Sequence, residues 1–193
     1  MKHLKLFESM NQIEVEKICK KYYIENWSIN KDGLVDVDGD VNLNFKGITE
    51  LPLQFGGVTG NFRCFLNSLT TLKGGPTEVV GNFDCDLNKL TTLEGAPQEV
   101  GGGFYCRSNN LTTLKGAPEY IDGKVDFLPN RKLPAEFLNF LKLNDDRDLQ
   151  TYILKWQKDY AIWRKDGSFN KANFIRMMED AQDELKIKIK FPK

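Results

Sequence analysis

The chain has 193 residues, enough for one or two small domains, and its 27 basic and 27 acidic residues cancel. A neutral chain sets up no overall field for nucleic acid or an anionic membrane. No run of 18 apolar residues occurs, which excludes a membrane-spanning helix, and the opening "MKHLKLFESMNQIE" lacks the apolar core of a signal peptide, so the expected location is the cytoplasm and Asn110-Leu-Thr112 is an accidental glycosylation match.

Residues 1–33 read as an N-terminal helical cap. Within "SMNQIEVEKICKKYY", Ile13, Val15, Ile18, Cys19 and Tyr22 or Tyr23 recur at helical spacing, giving a helix over residues 9–25. Ser9 is placed to cap it, and Glu14 falls in the first turn, where the helix dipole favours an acid. This helix is expected to cover the first coil of the repeat region.

"LVDVDGDVNLN" alternates strictly, so Val35, Val37, Val41 and Leu43 should face a core and Asp36, Asp38, Asp40 and Asn42 should face out. A calcium loop counted from Asp36 would need its glycine where Val41 stands and its bidentate glutamate where Gly47 stands, so the segment reads as strand.

Residues 60–122 repeat one sentence three times. "GNFRCFLNSLTTLKGGPTEVV", "GNFDCDLNKLTTLEGAPQEVG" and "GGFYCRSNNLTTLKGAPEYID" agree at 10 of 21 positions. A fixed period of this length indicates a solenoid of stacked coils. The apolar spacing is Phe62, Cys64, Asn67, Leu69 and Leu72 in the first copy. Phe83, Cys85, Asn88, Leu90 and Leu93 follow in the second, and Phe104, Cys106, Asn109, Leu111 and Leu114 in the third. That is the spacing of a leucine-rich repeat, with Phe and Cys pointing inward from a short strand. The Asn amide should bond backbone of a neighbouring coil where the strand ends. Gly-Ala-Pro or Gly-Gly-Pro breaks any helix, so the return path should be extended or a single turn.

Degenerate coils flank the three copies. Val41, Leu43, Ile48 and Leu51 keep the pattern upstream, with Lys46 in place of Asn, and Val125, Phe127 and Asn130 keep it downstream until Pro134. The fold class is therefore α+β. A short leucine-rich-repeat-like solenoid of about five coils spans 34–133, between the cap at 1–33 and a helical subdomain at 134–193.

That subdomain carries 14 basic and 10 acidic residues over 131–193. "PAEFLNFLKL" starts with Pro at a first-turn position. "DDRDLQTYILKWQKDYAIWRKDG" has acids at its start and Arg164, Lys165 and Gly167 at its end, as one long helix would. "SFNKANFIRMMEDAQDEL" is a third helix, with Phe174, Met178, Ala181 and Leu185 on one side. "KIKIKFPK" alternates Lys with Ile187, Ile189 and Phe191, a short terminal strand whose lysines guard an edge.

Chemical signals are sparse. Cys64, Cys85 and Cys106 form a ladder pointing one way, whereas zinc needs a tetrahedral cage, so they read as small core residues. The Gly-Gly-Gly at 101–103 lacks the Lys-Ser/Thr of a phosphate loop. Tyr152, Trp156, Tyr160 and Trp163 make an aromatic stripe that reads as core. The lone histidine, His3, leaves no catalytic pairing. A non-enzyme without metal or cofactor is the expectation.

Function should sit where copies differ while facing out. The strand-face columns are Asp40/Asn61/Asn82/Gly103/Lys124, Asn42/Arg63/Asp84/Tyr105/Asp126 and Asn44/Phe65/Asp86/Arg107/Leu128, with a partly shielded column Phe45/Leu66/Leu87/Ser108/Pro129. The candidate partner-binding residues are Arg63, Phe65, Asp84, Asp86, Tyr105, Arg107 and Lys124. Lys186, Lys188 and Lys190 are candidate nucleic-acid contacts.

The copies "xFxCxxNxLTTLxGAPxxV" after "DGLVDVDGDVNLNFKGITELPLQFGGVTGNF", together with the opening "MKHLKLFE", resemble leucine-rich-repeat-like proteins of phages and prophages of Bacteroidetes-type bacteria. The resemblance covers about residues 30–130. It implies a phage-encoded protein that works in the host cytoplasm by binding a host protein. Inhibition of a defence nuclease such as an RNA-guided, CRISPR-type one is the purpose it suggests. The alternatives are nucleic-acid or ribonucleoprotein binding through the basic C-terminal region, and a structural role in virion assembly.

Overall fold

The computed structural model describes residues 11–144 and 146–192. His3 and Ser9 lie outside them. The first helix, α1, runs Gln12–Tyr22. Its cap is Asn11, whose Oδ1 accepts from Glu14 N at 3.0 Å while the Glu14 carboxylate accepts from Asn11 N at 3.2 Å. This reciprocal box satisfies two otherwise orphaned donors. Val15 and Cys19 are buried in the core, but Ile13 is 77% exposed, so the apolar stripe is narrower than the spacing suggests.

Short strands come next. β1 (Trp27–Ile29) pairs antiparallel with β2 (Val35–Val37). β4 (Phe55–Val58), β6 (Glu78–Val79), β8 (Glu99–Val100) and β10 (Tyr120–Ile121) continue that sheet in parallel, in the order β1-β2-β4-β6-β8-β10. A second, five-stranded parallel sheet joins β3 (Val41–Asn42), β5 (Phe62–Arg63), β7 (Phe83–Asp84), β9 (Phe104–Tyr105) and β11 (Val125–Asp126). In register, Val41, Phe62, Phe83, Phe104 and Val125 stand side by side, each 21 residues from the next.

The chain is thus a parallel-strand solenoid of about four turns, with the extended return path forming its own sheet. "LVDVDGDVNLN" is not one strand. It turns at residues 38–40, with Gly39 at φ 136°, and passes from one sheet to the other. Val35, Val37, Val41 and Leu43 are all buried. Asp36 is half-buried, and its Oδ1 accepts from Gly57 N at 2.8 Å and Asn30 Nδ2 at 2.9 Å. At the same corner in later coils stand Gly60, Gly81, Gly102 and Gly123. A Cβ on any of them would lie 2.5–2.8 Å from backbone of the preceding coil, closer than packing allows, so the corner requires glycine.

The inside is a stack of identical side chains. Phe62 and Phe83 lie parallel with centroids 5.5 Å apart, Phe83 and Phe104 at 5.6 Å. The two Leu and the Cys of each copy are fully buried beside them. At each strand end the Asn amide serves two coils. Asn88 Nδ2 donates to Cys64 O, Cys85 O and Asp86 O, while its Oδ1 accepts from Leu69 N. Asn67, Asn109 and Asn130 repeat the arrangement.

The last coil is closed by helices. α2 is Ala135–Leu143, α3 is Arg147–Trp156 and α4 is Lys171–Leu185. Phe127 of the solenoid stacks on Phe137 of α2, which also meets Phe169 and Phe174, so solenoid and helices share one core. Two expectations fail here. α3 stops at Trp156 rather than running to Gly167, because Ala161 takes a left-handed φ of 48° and the chain folds back through a Trp163–Phe169 bridge. The described part of "KIKIKFPK", residues 186–192, forms no strand. Asn144 holds it instead, donating to Lys190 O and accepting from Lys190 N at 2.8 Å each. Among the described residues no helix is long and apolar enough to cross a membrane.

Candidate functional site

The outward face of the five-stranded sheet is the surface where coils of the same backbone carry different side chains. Its first column is consumed by the fold. Asp40 Oδ1 accepts from Asn61 N and Nδ2 at 2.7 and 2.9 Å, Asn61 Oδ1 from Asn82 N and Nδ2 at 2.9 and 2.8 Å, and Asn82 Oδ1 from Gly103 N at 2.7 Å. The ladder holds the coils together, and the exposed Lys124 stands in the same column in the last coil. The Asn61 amide N–H holds the Asp40 carboxyl below its usual value.

Both arginines of the next two columns are held by carboxylates of this face. Arg63 Nη1 meets Asp40 Oδ2 at 2.9 Å. Arg107 donates to Asp86 through Nη2 at 2.7 Å, Nε at 2.8 Å and its backbone N at 2.6 Å, and reaches Asp126 at 3.6 Å. Asp86, expected on the surface, is 4% exposed. β7 ends at Asp84, so the alternation that would turn Asp86 outward no longer applies, and Arg107 of the next coil covers it. Burial pushes the carboxyls of Asp84 and Asp86 up, against the pull of Arg107 on both. Tyr105 and Asp84 are half-buried, and Arg107 remains exposed.

The fourth column is more open than its sequence suggests. Phe45, Leu66 and Leu87 are 65%, 43% and 47% exposed. All three lie in the left-handed region, at φ 57°, 53° and 55°. Bulky residues in that region cost on the order of 1 kcal/mol each. Ser108 takes the same turn at φ 52°, so the geometry does not demand an apolar side chain. Phe65 joins the ridge through an edge-to-face contact with Phe45, centroids 4.9 Å apart.

The structure thus brings Arg63, Phe65, Asp84, Tyr105, Arg107 and Lys124 onto one face, with the ridge along its margin. It places Lys186, Lys188 and Lys190 elsewhere, on the segment held by Asn144, where all three are exposed. The thiols of Cys64, Cys85 and Cys106 are fully buried, and burial raises each well above its ordinary value. They are inert as nucleophiles and as metal ligands, both of which need the thiolate. Among the described residues no group of three or more His, Cys, Asp or Glu is arranged to hold a metal ion. Comparison with protein-family models, with curated proteins and with solved structures finds no match in any of the three.

Proposed function

We propose that the protein is a non-catalytic binding module that docks a protein partner on the ridge Phe45–Leu66–Leu87 and the adjoining Phe65. The observation that carries this reading is the left-handed turn. Four coils use the same backbone there, one with serine and three with large exposed apolar residues. Those three side chains add nothing that the turn needs, and a row of exposed apolar groups beside a charged rim is the anatomy of an interface. Arg63, Tyr105 and Arg107 supply the rim. Its charges are already paired, so they would set orientation more than affinity.

The resemblance to phage proteins supports a host defence protein as the partner, an RNA-guided nuclease in particular. The test is DNA cleavage by such a purified nuclease of the host, with and without the protein. Wild type should block cleavage near one-to-one stoichiometry. A triple variant, Phe45→Ser, Leu66→Ser and Leu87→Ser, should still fold cooperatively, since Ser108 takes the same turn, and fail to block. Unimpeded cleavage with wild type would remove the nuclease as partner. Equal inhibition by the variant would remove the ridge as the site.

A further inference from the structure

A cleft of about 850 Å³ lies between the return side of the last copies and the last turn of α3 with the chain that follows it. One wall holds Glu94, Gln98 and the stretch from Lys115 to Glu119, and the other is drawn from residues 154–165. The size falls within the roughly 300–1,000 Å³ of small-ligand sites.

The charge on the two walls is unequal. Glu94 and Lys115 pair with each other at 2.8 Å, so that part of the solenoid wall is neutral within itself. Glu119 is paired across the cleft with Lys158. What remains is Lys155, Arg164 and Lys165 against Asp159. Among the described residues, neither Lys155 nor Lys165 forms an ion pair. Arg164 Nη1 donates to two neutral oxygens, Ser168 Oγ at 3.3 Å and Phe169 O at 2.7 Å, with Asp166 close enough to feel its charge.

Two tryptophans border the same space. Trp163 is fixed in place, its Nε1 donating to Gln157 Oε1 at 2.7 Å and its ring packed on Phe137 and Phe169 at 5.7 and 5.4 Å. Trp156 already holds a cation, with Lys155 Nζ 5.0 Å from its ring centroid. Surplus positive charge beside aromatic rings, one of them fixed, is the combination that holds a phosphate and a base together. An acidic peptide would match the charge and leave the rings unused.

We propose that this cleft binds a nucleotide unit, its phosphate taken by Lys155, Arg164 and Lys165 and its base stacked at the tryptophan border. The site is separate from the protein-docking ridge and stands or falls independently of it. Free nucleotides and single-stranded nucleic acid present the same unit, and titration separates them. Intrinsic tryptophan fluorescence is followed on adding adenosine monophosphate, oligoadenylate, adenosine or inorganic phosphate. The expected result is saturable quenching by the nucleotide or the oligomer. Adenosine and phosphate alone should bind about tenfold more weakly or worse. Quenching by the mononucleotide assigns the free ligand, and quenching by the oligomer alone assigns a strand. Lys155→Glu with Lys165→Glu should weaken binding about tenfold or more, with the melting temperature unchanged because both side chains are exposed. No saturable quenching by either nucleotide ligand, or equal quenching in the charge-reversed variant, overturns the proposal.

Discussion

Asp84 is a carboxylate that the fold keeps half out of water. Burial raises its pKa, and the neighbouring Asp86 charge adds to the rise, while the Asp86 N–H, Arg107 and Arg63 oppose it. An acid whose folded pKa is raised binds its proton more tightly in the native state than in the unfolded chain. Stability therefore falls as pH climbs from the ordinary Asp value, about 3.9, through the raised one, and then levels off. Asp40 runs the other way. Its pKa is lowered, so its contribution is present above the ordinary value and lost as pH falls through the lowered one. Asp84→Asn fixes the neutral form permanently and keeps an oxygen for the Asp86 N–H, which it accepts at 3.0 Å. The variant should be more stable than wild type in urea at pH 7 and indistinguishable from it below about pH 4. A loss at pH 7 would mean that attraction to Arg63 and Arg107 outweighs burial. None of this is legible in the sequence. Asp84 and Asp86 both read as surface acids by alternation, which for Asp86 has to be carried past the end of β7, and the burial of Asp86 depends on the Arg107 that the next coil lays over it.

The turn that closes each strand is the element on which the stack depends. Each Asn amide bonds the coil before its own: Asn67 donates to Leu43 O, Asn88 to Cys64 O, Asn109 to Cys85 O and Asn130 to Cys106 O. The equivalent position in the first coil has no such coil to serve, and there Lys46 replaces Asn. Its backbone N donates instead to Asn67 Oδ1 at 3.0 Å. Asn88→Ala would remove four hydrogen bonds and strand Leu69 N in a dry interior, while Cys64 O, Cys85 O and Asp86 O keep Asn67 Nδ2, Asn109 Nδ2 and Leu66 N. At about 1 kcal/mol per lost bond and more for orphaned groups, the cost should be about 2–4 kcal/mol by urea unfolding. Substitution of Lys46 should cost almost nothing, and a comparable loss there would contradict the coil-to-coil account. The repeat makes the Asn, Phe, Cys and Leu ladders readable, because a residue kept at one position in every coil must meet its own copies. The second sheet is less readable. β6, β8 and β10 are two residues long and carry no alternation, so they read simply as an extended return. The ridge reads as partly shielded because side-chain exposure there follows from a positive φ at Phe45, Leu66 and Leu87 that apolar residue types do not announce. The end of α3 is hidden for a similar reason. The aromatic spacing continues past Trp156, but Tyr160 and Trp163 flank the turn at Ala161.

As a whole the molecule is a one-dimensional stack with unequal ends. Stability in such a stack is set by each coil and its interfaces with the neighbours. Between Phe62 and Phe104 those interfaces carry stacked rings, Asn ladders and backbone pairing in both sheets. At the far end α2, α3 and α4 merge into the same core. At the near end α1 contributes Val15 and Cys19 as its fully buried residues, which is little to hold eleven residues of helix in place. The four described cysteines report on this directly, since a buried thiol with a raised pKa reacts when its element opens. Burial pushes Cys19 up to about 11 and raises the three solenoid thiols as well. In native buffer at pH 8, a thiol reagent followed by mass spectrometry should modify Cys19 first, through local opening of α1. Cys64, Cys85 and Cys106 should react later and together, at the rate of global unfolding, because no interface between their coils is weaker than the next. Sequential labelling from Cys64 to Cys106 would instead show coils peeling one at a time from the α1 end, with the helical subdomain as the anchor. That outcome would place the strong coupling at Phe127–Phe137 rather than between the repeats.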